Sequence, residues 1–385
     1  MLKVEQNISR LKYLLDLYRI TVEEFLAKIS EGLKRPLTES DVFSEEIKVS
    51  HLKRIDKLFN KGLHFYLDPN DLHKTEDASV FFRKAHFNSD LNIGAKKVVD
   101  HFEEVKISLS AISKLAGFEI KRELPVFDVK EDVRDVATEI RSLLYTGFES
   151  ELKDFLRSLI VRFAEYNVMV FEFVETWNQK DKANIDGFFL RPNVIVLKRQ
   201  QQSFRREIFT LIHELGHFLL DDEEIDELNY QSMANKNLPV VERWCNDFSF
   251  YFLAGDYASV IDSIEMANST NDYCFDIIGE ISNKTHLSKI ALFTRLLFKD
   301  KISQPDYNKV KADFDQKFNE QQRELQRIKM LRKEQGIEQK GSTPKPILSP
   351  LLISTIQSAF YEGVLNEYEV CKHLNIRPER LEKYI

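Results

Sequence analysis

His213, Glu214 and His217 stand in the run Leu211-Ile212-His213-Glu214-Leu215-Gly216-His217-Phe218-Leu219-Leu220, an HExxH pattern. Two histidines four residues apart on an α-helix project from the same face, so their imidazole nitrogens can share one metal ion. The glutamate beside them is placed to take a proton from a water that the ion has made more acidic, so that hydroxide attacks a peptide carbonyl. Three fixed identities are a weak constraint, and the neighbouring residues must carry the rest. Ile208, Leu211, Ile212, Leu215, Phe218 and Leu219 recur at three- and four-residue steps and outline one apolar stripe, which predicts a helix seated in a core. Gly216 costs about 1 kcal/mol of helix propensity relative to Ala, which predicts close approach of another backbone element there.

A two-histidine site needs a third protein ligand and an open fourth position. In Val240-Val241-Glu242-Arg243-Trp244-Cys245-Asn246-Asp247-Phe248, the residues Val241, Trp244, Cys245, Phe248 and Phe252 again follow helical spacing. Glu242 and Asn246 then share a face one turn apart, with Glu242 as third ligand and Asn246 orienting it or a histidine. The plainer reading is that Glu242 solvates a helix start. Peptide hydrolysis also needs a donor for the tetrahedral oxyanion, for which Arg206, Tyr230, Tyr251 and His286 are the candidates. The remaining histidines, His51, His64, His73, His86, His101 and His373, stand singly and read as surface or packing residues, as does His286 unless it reaches the cleft.

Together these stretches resemble the ImmA/IrrE family of zinc-dependent metallopeptidases. Gly187-Phe188-Phe189-Leu190 and Val194-Ile195-Val196-Leu197 resemble the family's strands, and Arg206-Glu207-Ile208-Phe209-Thr210-Leu211-Ile212 resembles its Arg-x-x-Phe-Thr lead into the motif. Glu242-Arg243-Trp244-Cys245-Asn246-Asp247-Phe248 resembles its Glu-x-x-Ala-Asn-x-Phe segment, with Cys245 in place of the usual Ala. The resemblance covers about residues 165–300. It implies metal binding by His213, His217 and Glu242, general-base work by Glu214, and one Zn2+ ion, with Mn2+ or another divalent ion as the alternative. It further implies cleavage of a specific protein partner, typically an Xre-type repressor, with derepression of stress, phage or mobile-element genes. The expected fold is mainly α with a small β-sheet (α+β), a thermolysin-like zincin core flanked by helical N- and C-terminal regions.

The chain has 385 residues, enough for two or three domains, and its 43% hydrophobic and 30% charged content is that of a soluble globular protein. No apolar run approaches the ~20 residues of a membrane span, and Met1-Leu2-Lys3-Val4-Glu5 lacks a signal-peptide core, which leads to the expectation of a cytoplasmic protein without membrane contact. Three scattered cysteines, Cys245, Cys274 and Cys371, do not make a disulfide framework and read as packing residues. A net charge of −7 argues against a surface built wholly for nucleic acid.

Residues 1–75 read as a helical module. Ile8, Leu11, Leu14, Leu15 and Tyr18 mark one helix, Phe25, Ile29 and Leu33 a second with Thr21 as N-cap, and Val49, Leu52, Ile55, Leu58 and Phe59 a third. The phrase Leu17-Tyr18-Arg19-Ile20-Thr21-Val22-Glu23-Glu24-Phe25-Leu26 vaguely resembles Xre-type helix-turn-helix modules, although residues 34–41 are not the short Gly-containing turn expected. Two readings stand: DNA binding, with nucleic acid as an activator of the peptidase, or helical packing and homodimerisation. In the rival to the peptidase account, the protein is a DNA-binding regulator or toxin-antitoxin component and the zinc domain is its sensor or scaffold. Residues 76–165 are expected to form a helical bridging region and the start of the peptidase domain, whose core is 166–300, with helices on either side of Gly147, a strand at 168–173 and a turn at Asp186-Gly187. Residues 301–340 hold ten Lys/Arg and seven Asp/Glu, which suggests a solvated helical arm. A linker at 341–346 then precedes a small helical segment at 347–385.

Overall fold

The computed structural model describes residues 2–72, 79–84, 87, 90–175, 181–199, 204–225, 238–334 and 345–385. They fold as a mainly helical chain with two small sheets, an α+β architecture. The chain forms two compact units, Met1–Glu104 with Asp181–Asn184, and Val105–Lys180 with Ile185–Ile385. The boundary falls inside the helix Ile93–Leu115.

In the first unit, the expected helices form at Ile8–Leu17, Val22–Ser30 and Val49–Phe59. Thr21 caps the second through a capping box in which its hydroxyl accepts from the Glu24 N–H and the Glu24 carboxylate accepts from the Thr21 N–H. Phe25 stacks on Phe59 and Tyr18 meets the same ring edge-on, closing a core with Leu11, Leu14 and Ile55. Residues 31–48 hold two elements without a clear sequence signal, a one-turn helix Glu39–Val42 and a strand Glu46–Lys48 paired antiparallel with Lys3–Glu5. Several of the unit's bases are engaged internally. The Arg10 guanidinium donates to the Asn70 and Phe65 carbonyls and to Asp68, Arg54 donates to the Ile29 and Glu31 carbonyls, and Lys61 lies 2.5 Å from Asp100.

The second unit is built around a three-stranded sheet in which Val194–Lys198 lies centrally, parallel to Met169–Phe173 and antiparallel to Gly187–Leu190. The strands form where β-branched and aromatic residues cluster, and all their residues but Lys198 are buried, as in a sheet covered on both faces. Asn167, in the left-handed region at φ +57, turns the chain from the helix Leu152–Glu165 into the first strand. Gly187 does not turn: it is the first residue of its strand and pairs with Leu197.

Against this sheet lies the motif helix Phe204–Leu220, buried from Glu207 to Leu219. The helix Val240–Ala254 packs along it, and Val133–Leu144 covers that helix in turn. The motif helix ends at Asp221, whose φ of +50 lets the Asp222 N–H return to the His217 carbonyl. After residues 341–344, which lie outside the described part, the chain returns to the sheet: the Ile347 N–H donates to the Glu172 carboxylate at 2.5 Å. The small helical segment expected beyond it follows as Pro350–Tyr361 and Glu367–His373, and the first packs on Leu152–Glu165. Among the described residues no helix is long and apolar enough to cross a membrane.

Candidate metal centre

His213 and His217 occupy successive turns of the motif helix, and their Nε2 atoms lie 3.2 Å apart. Glu242 enters from the first turn of the neighbouring helix, with Oε2 3.3 Å from His213 Nε2 and Oε1 3.2 Å from His217 Nε2. One ligand atom from each residue falls within 4.8 Å of the others, and all three side chains are buried. Glu242 therefore does not solvate a helix start; it is 3% exposed. Its place in the first turn favours a carboxylate, because the unpaired N–H groups there carry positive potential.

Burial opposes the charge on Glu242, but its hydrogen bonds to His213 and His217, and the charge on those rings, hold it below the ordinary carboxylate range. Burial moves His213 the other way from its usual protonated range, downward, against the pull of Glu242. Cys245 is pushed up to about 11 by burial and so keeps its proton. His217 moves the opposite way: burial lowers it, but contacts with Cys245 and Glu242 outweigh that and raise it well above the ordinary histidine range. A bound cation would take the place of that proton, because the ligand forms are the neutral imidazole and the ionised carboxylate. The donor set of two imidazoles and a carboxylate suits Zn2+ and tolerates other divalent ions. Glu242 turns Oε2 toward His213 and Oε1 toward His217, so three buried ligand atoms from two helices converge on one point, as a shared cation requires. The residues present therefore fit a bound metal.

Two glycines set the spacing. A Cβ on Gly216 would lie 3.1 Å from Cys245 Sγ and 3.2 Å from Cys245 Cα, so the close approach expected at Gly216 is the packing of the two ligand-bearing helices. A Cβ on Gly187 would stand 2.7 Å from Thr210 Cγ2 and 3.1 Å from Glu214 Cγ, which brings the edge strand onto the helix beside Glu214. Gly187→Ala is expected to cost about 1–3 kcal/mol through overpacking and to displace Glu214. Removing the clashing methyl with Thr210→Ser should recover both stability and any peptide cleavage. Thermal unfolding and turnover of the single and double variants measure this, and a Gly187→Ala chain as stable as the parent contradicts the contact.

Arg206 is held by Asp186, with Nε donating to Oδ2 at 3.1 Å; Asp186 also accepts the Lys198 N–H at 2.7 Å, so Arg206 fastens the corner of the sheet to the motif helix. Asn246 follows Glu242 by one turn and adds a side-chain hydrogen bond that raises His213. Tyr251 lies nine residues past Glu242, about 14 Å along the helix axis, where its hydroxyl accepts from Arg295 at 3.1 Å. His286 is stacked on Phe155 with ring centroids 3.5 Å apart, and its Nε2 is 2.8 Å from the Glu149 carbonyl oxygen. Burial lowers its pKa to about 4. Neither Tyr251 nor His286 joins the His213–His217–Glu242 group, and Tyr230 lies outside the described residues, as do His73 and His86.

Sequence reasoning missed a buried ionic cluster behind the site. The Arg199 guanidinium bonds Glu207 on the motif helix and lies 3.5 Å from Glu172 on the first strand. Its signal was present: Glu207 falls two turns before Glu214, on the same buried face, where an unpaired carboxylate is not tolerated. Also missed was a small cleft beside Asn246. Phe209, Phe250, Leu287, Ala291 and Phe298 wall it, and Arg295, ion-paired with Asp247, lines one side.

No curated protein and no solved structure matches the chain. Residues 164–254 match the family model Peptidase_M78, IrrE N-terminal-like domain. The matched stretch runs from the end of the helix Leu152–Glu165 to the last residue of Val240–Ala254 and so contains the sheet, the motif helix and all three metal-facing residues, which supports a metallopeptidase with a divalent-metal site.

Proposed function

We propose that the protein is a zinc-dependent endopeptidase that cuts a specific protein partner, a helix-turn-helix repressor of the Xre type. The observation that carries the reading is the convergence of His213, His217 and Glu242 within 4.8 Å, with Glu214 on the same helix. A divalent ion held by these three residues would supply Lewis acidity toward a water and the scissile carbonyl. Glu214 accepts the water proton and delivers it to the leaving amine. Asn246 steadies His213, and Arg206 with Asp186 keeps the edge strand in place above Glu214. The cleft beside Asn246 receives an apolar side chain next to the scissile bond, because its walls are mostly Phe, Leu and Ala.

The test is digestion of Xre-type repressors, beginning with any encoded next to this gene, by the zinc-supplemented protein, with fragments identified by mass spectrometry. Discrete cuts flanked by an apolar residue, lost on chelation and restored by Zn2+, are expected. An intact repressor in the presence of metal contradicts the substrate assignment, and failure to cut any unfolded protein contradicts the peptidase reading itself.

A further inference from the structure

Arg205, the second residue of the motif helix, is partly buried, and no carboxylate pairs with it among the described residues. Its Nη1 donates instead to three carbonyls, those of Ser282 at 2.9 Å, Thr285 at 3.3 Å and Leu287 at 2.5 Å. They lie at the C-terminal end of the helix Phe275–Lys284 and in the loop after it, where unpaired carbonyls favour a positive charge. The loop does not need Arg205 for its own shape. The Ser282 hydroxyl donates to the Leu287 carbonyl at 2.9 Å and the Thr285 hydroxyl to the Ile281 carbonyl at 2.8 Å. Ser288 then caps the next helix, Lys289–Phe298, by accepting from the Ala291 N–H. The guanidinium adds a tie from this folded hairpin to the motif helix.

What the tie positions is one wall of the cleft beside Asn246. Leu287, Ala291 and Phe298 line that cleft from the hairpin, and Phe209 lines it from the motif helix. Phe209 follows Arg205 by four residues, so the two share a side of the helix. Arg205 therefore sets the gap between the wall on the motif helix and the wall on the hairpin. Asn246 both lines the cleft and hydrogen-bonds His213, which puts any occupant beside the metal centre.

We propose that Arg205 determines the size of the substrate side chain that this cleft accepts, admitting an aliphatic chain of leucine size and excluding a large aromatic ring. The inference rests on the peptidase reading above. Arg205 is a positioning residue: it acts on the substrate through Leu287 and the helix that follows. A wall fixed in place discriminates by size, because a chain that is too large must displace packed atoms. A wall released from the motif helix can give way.

The test uses the zinc-supplemented full chain and peptides built on a site that it cuts, in a repressor or in unfolded casein, differing only in Ala, Leu, Phe or Trp beside the cut. The parent should prefer Leu to Trp. In Arg205→Ala the ratio of kcat/KM for Leu over Trp should fall about tenfold, within the range that pocket size commonly supplies, through KM and with metal content kept. Amide hydrogens of residues 285–291 should exchange faster in the same variant. Arg205→Lys, whose ammonium still donates to carbonyls, should keep most of the preference, and Arg205→Gln repeats the comparison should the Ala variant fail to fold. A parent that cuts neither protein overturns the peptidase reading and this inference with it. A parent that cuts but favours Trp, a preference unchanged in Arg205→Ala, or unaltered exchange at 285–291 overturns the inference alone.

Discussion

Replacing Glu214 by Gln will lower peptide cleavage by roughly 10²–10⁴-fold, the usual worth of a positioned general base, while leaving metal content and melting temperature close to those of the parent. Gln fills the same volume against Thr210 and Gly187 and cannot accept a proton. The side chain is 4% exposed, so bulk water does not readily take over the proton transfer. Turnover and metal content measured on one preparation separate this outcome from loss of the site. Activity that persists in the variant would remove Glu214 from the chemistry; activity lost together with metal would give it a structural role instead.

Arg199→Ala is expected to destabilise the second unit by about 3–5 kcal/mol, the cost of stranding buried charge, which corresponds to a fall of roughly 10 °C in Tm. Arg199 lies between two carboxylates that are themselves almost wholly buried, and its guanidinium also covers the Phe204 ring. Neutralising both acids in the same background, with Glu172→Gln and Glu207→Gln, should recover much of the loss, because the penalty comes from uncompensated charge. The deficit also depends on pH. Burial raises Glu172 above its ordinary 4.5, against the Ile347 N–H and Arg199. A carboxyl whose folded pKa is raised binds its proton more tightly in the folded chain, so its contribution favours folding at acid pH and is lost as pH rises through the folded value. Without Arg199 that value rises further, and the variant should be nearest the parent around pH 4.5 and furthest from it at neutral pH. Denaturant unfolding at the two pH values measures this, and a pH-independent deficit would place the cost in packing over Phe204.

The site was legible in the sequence because its geometry is local. The four-residue step between His213 and His217 fixes their shared face, and the apolar residues around Glu242 fix which way it points. Gly216 announced a close neighbour by its helix cost, and Cys245 proved to be that neighbour. What the sequence did not disclose depends on residues far apart along the chain. Lys3–Glu5 pairs with Glu46–Lys48 across more than forty residues, through strands too short to show alternation. Gly187 looked like a turn because Asp-Gly is turn chemistry, whereas it serves a contact with Thr210 that only the packed helix creates. His286 and Tyr251 qualify as oxyanion donors by residue type alone. Tertiary packing instead places one on Phe155 and the other on Arg295.

The most direct test of the account is the metal stoichiometry of the purified chain, measured by elemental analysis for the parent and for Glu242→Gln. The account predicts about one divalent ion per chain in the parent, as for a three-ligand site of this kind, and a substoichiometric, easily chelated ion in the variant. A parent that binds no divalent ion after zinc supplementation and desalting, or a variant that retains it fully, would contradict the assignment of His213, His217 and Glu242 as a metal centre.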